Sequence, residues 1–412
     1  MLKRCSFHIV PTMVHTCILL SVAALLTVWP SQFCQADETS TDQEILLERL
    51  IEDALQGNQQ LIAAAAQAQR YNIRIPLVDN LSDPLLAFYY LDFPIANISR
   101  GYTSPENEEK FGPPTLVDVE TVRGEILTGR DMVENLALWY DYLSADLILQ
   151  VAGKVREDFY RLYFIDKIIL VTEQSLATLD SLIASSSANY AVGKIRQKDV
   201  LRAHTERYQL QAELIRLRQQ RIATESELNY LAARPIGGPL SPMIKPELTH
   251  ESLPEMRHST VDLISGMYQK RPLGKGYQSL GGRFKAMRGM VQMYFNREVQ
   301  TEAMYEADSG YRSIKATGAD FYSSTVADLQ ATVANLEKNG ELARLYGRVI
   351  VPHDHQLFEA GLADLRVGNE DFLTVLNTVL NLNKDQILYY QALADYMVDM
   401  ARLEALSGVT LN

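Results

Sequence analysis

Apolar residues recur with helical spacing over unusually long stretches of this chain. No glycine or proline occurs from Lys154 to Val192, from Lys194 to Arg234 or from Asn369 to Ser407. At 1.5 Å per residue, such stretches form single helices of roughly 60 Å, whereas ordinary globular helices have about 8–20 residues. Dense charges flank a narrow apolar seam in each stretch, as in a coiled coil. The pattern predicts a mainly α fold of long antiparallel helices.

The helical pattern occurs twice, at an offset of 175 residues. Tyr190–Ala232 aligns without a gap on Leu365–Ser407, so that Val192-Gly193 falls on Val367-Gly368. Glycine just after a helix accepts the left-handed conformation that a tight reversal needs. Gly193 and Gly368 therefore predict the tips of two helical hairpins.

The two copies differ in the segments that lead to their hairpins. Lead-in helices are predicted at Leu50–Asn58 and Leu263–Pro272. After the first, the stretch Ile75–Gly129 is rich in proline and predicts loops, with one aromatic-rich strand at Leu85–Phe93. The second copy instead continues into helical sequence at Phe284–Glu306 and lacks an obvious pair of strands.

The ascending arm of the second hairpin, from about Ala319 to Ala360, is interrupted. Gly340, Gly347 and Pro352 fall inside it. These residues predict kinks or a frayed turn in this arm.

The N-terminus has the layout of a cleavable secretory signal. Lys3 and Arg4 precede the apolar run Cys17–Trp29, and Cys34-Gln35-Ala36 places small residues before a cut after Ala36. A membrane anchor is the alternative, but the run is shorter than the ~20 residues that a span needs. The predicted organisation is a signal peptide at 1–36, a first repeat at 37–235, a linker at 236–260 and a second repeat at 261–408.

Composition excludes several functional classes. All three cysteines precede the predicted cut, which excludes disulfides and thiol chemistry from the mature chain. The net charge of −12 without a basic patch argues against nucleic acid. No apolar run after the signal resembles a membrane-spanning helix.

These features together resemble the TolC-like outer membrane efflux protein family, especially its cation and heavy-metal branch. The stretches that carry the resemblance are Tyr190–Ala203, Glu227–Leu231, Gly368–Leu376, Tyr390–Tyr396 and the doubled order in which they occur. The resemblance implies a homotrimer in which each chain gives two hairpins to a twelve-helix periplasmic tunnel and strands to an outer-membrane barrel. It also implies a passive duct for small solutes or metal cations, without enzymatic activity or a cofactor. An inner-membrane pump would deliver the solutes through a periplasmic adaptor.

The resemblance assigns the adaptor contact to the hairpin tips. The corresponding residues are Ala191, Val192, Gly193 and Lys194 in the first tip and Arg366, Val367, Gly368 and Asn369 in the second. The absent second strand pair departs from the family pattern, because an open sheet cannot lie in lipid. The alternative is therefore a periplasmic helical scaffold that lacks a complete membrane barrel.

Carboxylates near the tips are the strongest candidates for chemistry. Asp199, Glu370 and Asp371 would form rings at the duct entrance of a trimer and favour cations there. The alternative is stabilisation of helix N-termini by negative charge. No catalytic constellation is found. His353-Asp354-His355 could hold a metal on an extended chain, but two histidines beside Pro352 are more typical of a solvated loop, and no metal site is predicted.

Overall fold

The computed structural model describes residues 38–80, 119–191, 195–242, 244, 247–294, 297–409 and 411, and within them every regular element is helical. We label the helices α1 Glu38–Gly57, α2 Gln59–Asn80, α3 Val119–Ala191, α4 Gln197–Leu231, α5 Thr260–Lys270, α6 Pro272–Tyr294, α7 Arg297–Leu345, α8 Val351–Val367 and α9 Phe372–Ser407, with a π-helical turn Tyr346–Ile350 joining α7 to α8. The predicted signal peptide and the predicted strand Leu85–Phe93 lie outside the described residues. The prediction of a mainly α fold with long antiparallel helices is confirmed.

The long helices form two hairpins that lie side by side. Helices α3 and α4 form the first hairpin, and the continuous arm α7–α8 with α9 forms the second. Helix α3 packs against both α4 and α9, and α9 in turn packs against α7 and α8. The lateral order is therefore α4, α3, α9 and then the α7–α8 arm, which leaves α4 and the α7–α8 arm at the edges.

Separate apolar cores follow one another along this arrangement. The middle core joins the lead-in helices α1 and α5 to α3, α4 and α9, and its fully buried members include Phe159, Leu228 and Leu263. A second core near the tips contains Leu179 of α3 and Leu376 of α9. Complete burial of side chains of this size contributes about 1.5–3 kcal/mol each. The hairpins are thus tied together from the middle of the molecule to the tips.

The duplication is visible in the geometry of the descending helices. Helix α4 begins at Gln197 and α9 at Phe372, which are 175 residues apart, the offset of the sequence repeat. Just after these helices, Ala233 and Gly408 both have a positive φ, of 53° and 65°. These two residues are again 175 positions apart, so both descending helices end in a left-handed turn at equivalent positions.

A hydrogen bond joins the end of each lead-in helix to the end of the descending helix of its own repeat. Asn58, between α1 and α2, donates from Nδ2 to the carbonyl oxygen of Leu231 at 3.0 Å. Arg271, between α5 and α6, donates from Nη1 to the carbonyl oxygen of Leu406 at 3.5 Å. Leu231 and Leu406 are also related by the 175-residue offset. Arg271 is further fixed by a buried ion pair with Asp146 of α3 at 3.1 Å.

The predicted interruption of the second ascending arm takes the form of a π-helical turn. The chain remains helical from α7 to α8 through Tyr346–Ile350, and Gly340 lies within α7. Pro352 is the second residue of α8, which comes directly after the π turn. A frayed turn was therefore the wrong form of the interruption. The wider π turn accommodates the break without ending the helix.

The linker between the repeats packs directly on this π turn. A Cβ atom on Gly347 would lie 2.2 Å from Nδ1 of His250, so only glycine allows the imidazole to sit there. His250 is held by Tyr389 of α9, whose hydroxyl lies 3.2 Å from the His250 backbone nitrogen and 3.3 Å from Nδ1. The π turn, the linker and α9 thus meet at one point.

A bundle of α2, the first part of α3, α6 and the first part of α7 forms the end of the molecule away from the tips, and we call it the head bundle. Its core contains Met132, Met290 and Val291. Gly282 of α6 lets that helix approach α3 closely, because a Cβ atom there would lie 2.2 Å from Oδ1 of Asn135. The prediction that the second copy is helical in this segment agrees with α6 and α7.

The chain before the first hairpin is more helical than the sequence predicted, and helix α3 passes a simple test for a membrane span. The stretch Ile75–Gly129 is helical at both ends, since α2 extends to Asn80 through Pro76 and α3 begins at Val119. By length and composition alone, Arg130–Ala188 of α3 would also qualify as a membrane span, although the sequence had suggested none. A core helix of a soluble protein passes the same test, and α3 packs against five other helices.

Candidate functional site

The two hairpin tips are the candidate site. In the first, α3 ends at the exposed residue Ala191 and α4 begins at Gln197. Val192, Gly193 and Lys194 lie outside the described residues. Arg196 precedes α4 in an extended conformation and makes no side-chain cap. Helix α3 therefore ends at a solvent-exposed residue, Ala191.

The second tip is a Schellman turn. Gly368 has a φ of 82° and donates its N–H to the carbonyl of Leu365 at 3.2 Å, while the N–H of Asn369 reaches the carbonyl of Asp364 at 2.9 Å. These two bonds satisfy carbonyl groups at the end of α8. Arg366, Val367, Gly368 and Asn369 are all exposed, and the Val367 side chain is 70% accessible. The tip thus offers a small apolar surface at the end of a rod.

The tips belong to one surface, because the hairpins touch close to them. Phe372 and Leu376 of α9 share a buried cluster with Leu182 and Ala203 of the first hairpin. Nη2 of Arg202 donates to Oδ1 of Asn377 at 3.2 Å. Arg202 and Asn377 are 175 residues apart, so equivalent positions of the two repeats bind each other there.

The three candidate carboxylates do not have equal access to solvent. Asp199 is 4% exposed in the first turn of α4 and pairs with Nε of Arg196 at 3.2 Å. This position favours the alternative in which the carboxylate stabilises the helix N-terminus. Asp371 is exposed at the N-cap of α9, and Glu370 accepts the Asp371 N–H at 3.0 Å. Glu370 and Asp371 are therefore accessible for a role at an entrance.

The structure separates the two histidines of the His353-Asp354-His355 motif. The motif lies on α8 and not on a loop or an extended chain, so residues two apart point about 200° away from each other. Both histidines are exposed, and His355 lies 3.4 Å from Glu359. Within the described part of the chain, no group of three potential metal ligands comes together.

Asp354, between those histidines, faces Asp385 of α9. Its Oδ2 is buried and, while both carboxyl groups are ionised, has no hydrogen-bond donor among the described residues. Burial, the hydrogen bond to Asp385 and the charge of Asp385 together raise the pKa of Asp354 to about 6, and His353 partly offsets this effect. Two carboxyl groups can share a hydrogen bond only when one is protonated. Sequence reasoning missed this pair, because the facing residue is 31 positions away on another helix.

An apolar stripe runs along the free edge of α4. Leu201, Tyr208, Ile215 and Ile222 are 57%, 62%, 64% and 52% exposed and recur every seven residues. The opposite edge, on the α7–α8 arm, exposes Leu342, Leu345, Val349 and Leu357. A seven-residue repeat of large apolar side chains is the pattern of a coiled-coil seam. Both edges therefore carry surfaces suited to another helix.

Comparison with known proteins identifies the fold. No protein-family model matches the chain, and no curated protein matches it in sequence. A membrane protein from Pseudomonas aeruginosa matches with a TM-score of 0.69 at 12% identity, over 92% of this chain and 95% of that one. The MtrE outer membrane channel of Neisseria gonorrhoeae, in its open state, gives 0.68 at 11% identity over 89% of both chains. The CmeC outer membrane channel of Campylobacter jejuni gives 0.67 at 8% identity, over 93% of this chain and 91% of that one.

These matches cover nearly the whole of each chain, so the likeness is one of complete architecture. At 8–13% identity it shows the fold, which is that of TolC-like outer membrane channels.

Proposed function

We propose that this chain is the outer-membrane duct of a tripartite efflux system, passive and without an enzymatic step. The observation that carries the proposal is the lateral row of four helical arms with apolar stripes on both free edges. A single row of helices cannot bury all its apolar surface alone. Copies related by rotation can bury both edges at once, because the α4 edge of one meets the α7–α8 edge of the next.

Closure of such a ring leaves a tunnel between the arms. Three copies with four arms each give the twelve helices that the family resemblance implies. Helix α3 alone has 73 residues and extends roughly 110 Å, which suits a duct across a wide periplasmic space. The solutes carried would be small molecules or metal cations, delivered by an inner-membrane pump.

The tips are proposed to meet the periplasmic adaptor. The second tip exposes the apolar side chain of Val367 at the end of the hairpin. Such a surface can contact the tip of another helical hairpin. In a trimer, Glu370 and Asp371 would form rings at the same end and favour cations over anions. Asp199 would join them only if the first tip rearranged, since it is buried against Arg196.

Site-specific crosslinking tests the adaptor contact. A Val367→Cys variant, in a chain whose mature part has no native cysteine if the signal is removed as predicted, should crosslink to a co-expressed adaptor in intact cells. A Tyr305→Cys variant in the head bundle, where the side chain is also exposed, is the matched control and should not crosslink. Equal capture at both positions, or none at Val367, would contradict the contact.

Conductance tests the duct itself. Purified protein added to a planar lipid bilayer should produce discrete, long-lived steps that are selective for cations, and Glu370→Gln/Asp371→Asn should reduce that selectivity. Absence of steps from protein that is folded and trimeric would refute the channel.

A second candidate is a periplasmic helical scaffold. The observation that favours it is the helical pair α6–α7, in the position where the family resemblance implies two strands of the second repeat. Recovery of the chain from the soluble periplasmic fraction, with tip crosslinking intact, would favour this scaffold over the duct.

A further inference from the structure

The expectation that the chain has no basic patch was wrong, because helix α6 and its flanks are basic in an otherwise acidic protein. Residues 263–297 contain no aspartate or glutamate, although the whole chain has a net charge of −12. The same stretch contains seven basic residues, which are Lys270, Arg271, Lys275, Arg283, Lys285, Arg288 and Arg297. An acid-free stretch of this length in an acidic chain indicates a surface with a specific charge requirement.

The charges lie mainly on the outward face of α6. Lys275, Lys285 and Arg288 are exposed, whereas Met287, Met290 and Val291 are buried in the head bundle. Helix α6 is thus amphipathic, with its apolar side against α3 and α7 and a cationic side in solvent. Arg271 does not contribute, because it is buried in its ion pair with Asp146.

Helix α7 extends this face with further cations and two aromatic rings. Arg312 and Lys315 are exposed on α7. The Lys285 Nζ lies 5.0 Å from the ring centroid of Tyr311, and the Arg312 Cζ lies 5.7 Å from that of Tyr305. Tyr305 is 68% exposed. We call the set Lys275, Lys285, Arg288, Tyr305, Tyr311, Arg312 and Lys315 the cationic face.

Nearby acids do not neutralise this face. Asp308 forms an ion pair with Arg288 at 3.4 Å. The other four of the five Lys and Arg residues in the cationic face are not neutralised by this pair. Glu302 and Glu306 are exposed on the same helix. At 100° per residue they lie about 80° and 120° around α7 from Arg312, so they border the cationic face, but neither forms an ion pair with its cations within the described part of the chain.

The cationic face lies at the far end of the molecule from the tips. Its helix α6 packs on the first part of α3, whose Met132 lies in the head core, while Ala191 ends α3 at the tip. These two residues are 59 positions apart, or about 90 Å along a helix. If the tips meet a periplasmic adaptor, as in the proposed function, the head bundle points towards the outer membrane.

We propose that the cationic face binds the headgroups of anionic phospholipids at the membrane surface. Basic side chains beside an anionic bilayer each strengthen binding by about fivefold, and tyrosine is enriched at the headgroup level of membranes. Tyr305 and Tyr311 supply the rings, and the surrounding Lys and Arg side chains supply the charge. The helices α6 and α7 thereby seat the duct on the membrane.

Vesicle flotation with the full-length protein tests this. Protein should float more completely with vesicles of phosphatidylcholine containing 30% phosphatidylglycerol than with vesicles of pure phosphatidylcholine, and 0.5 M NaCl should remove that difference, since salt screens exposed charges. The variant Lys275→Gln/Lys285→Gln/Lys315→Gln should bind the anionic vesicles about a hundredfold more weakly.

The matched control removes three exposed lysines elsewhere. Lys198→Gln/Lys338→Gln/Lys384→Gln makes the same change in net charge on the hairpin arms and should bind as the parent does. Equal binding to neutral and anionic vesicles, or equal losses in the two variants, would overturn the proposal. Binding to duplex DNA without binding to anionic vesicles would also overturn it, by showing a different polyanion as the partner.

The inference rests on the proposed function for its orientation, and the two fail separately. Loss of vesicle binding by a protein that still forms conducting trimers would reject the lipid contact alone. Anionic vesicle binding by a chain that forms no channel would leave the contact standing and reject the duct.

Discussion

Replacement of Asp354 by asparagine should stabilise the protein at neutral pH and have little effect in acid. The pKa of Asp354 is about 6 in the folded protein, against 3.8 for an unperturbed aspartate. Between these values the folded state holds a proton that the unfolded state has released. The contribution of the pair to stability is therefore complete below pH 3.8 and is lost as the pH rises to about 6. Above that range, the ionised pair opposes the packing of α8 on α9.

The size of the effect follows from the shift and from the partial exposure of the site. The rise in the pKa of Asp354 from 3.8 to about 6 corresponds to at most about 3 kcal/mol, at 1.36 kcal/mol per pKa unit. Solvent reaches part of the pair, and screening reduces the expected effect to about 1 kcal/mol. Asp354→Asn should thus raise the free energy of unfolding by about 1 kcal/mol at pH 7.5 and leave it nearly unchanged at pH 4.

Urea unfolding, followed by circular dichroism at pH values from 4 to 8, measures this difference. Asp385→Asn should change the stability in the same direction but by less, because it removes the charge of Asp385 and leaves Asp354 buried. Glu341→Gln changes an exposed carboxylate on α7 and is the control, for which the difference from the parent should stay constant across the range. An Asp354→Asn difference that is independent of pH, or a loss of stability at pH 7.5, would refute the reasoning.

Three further predictions concern the π turn, the second tip and the free edge. Gly347→Ala should lower the free energy of unfolding by about 2 kcal/mol, because the new methyl group meets His250. In a double-mutant cycle, the same change should lower the free energy of unfolding much less when His250 is replaced by alanine. Gly368→Ala should lower the free energy of unfolding, measured by thermal unfolding, by about 1 kcal/mol. The cause is strain at the positive φ alone, since nothing lies within 4 Å of the added Cβ. Gly368→Asn should lower the free energy of unfolding by less, and an equal loss in the two variants would contradict this explanation. Tyr208→Glu/Ile215→Glu should leave the helix content unchanged but convert the proposed trimer to monomer in light scattering. A trimer that persists in the variant would show that α4 is not the assembly edge.

The sequence predicted the doubled hairpin because its signals are local and repeated. Long stretches without glycine or proline and a Val-Gly pair at both tips depend only on neighbouring residues. Such local signals do not reveal the hydrogen bonds to the carbonyl oxygens of Leu231 and Leu406. Their donors are Asn58 in one repeat and Arg271 in the other, and the acceptors are backbone oxygens that carry no sequence signature.

Pro352 shows where local interpretation failed. A proline beside two histidines suggested a loop, yet the chain remains helical there, and the preceding π turn carries the break. At the π turn, His250 from the distant linker fills the space over Gly347, a contact that residue spacing does not reveal. The Asp354–Asp385 pair and the burial of Asp199 depend on partners or packing that residue spacing does not reveal.

Fractionation of cells that express the full chain tests the central claim most directly. We expect the protein in purified outer membranes, as a trimer that resists detergent and dissociates to monomer only on heating. Recovery as a monomer from the soluble periplasmic fraction would contradict it.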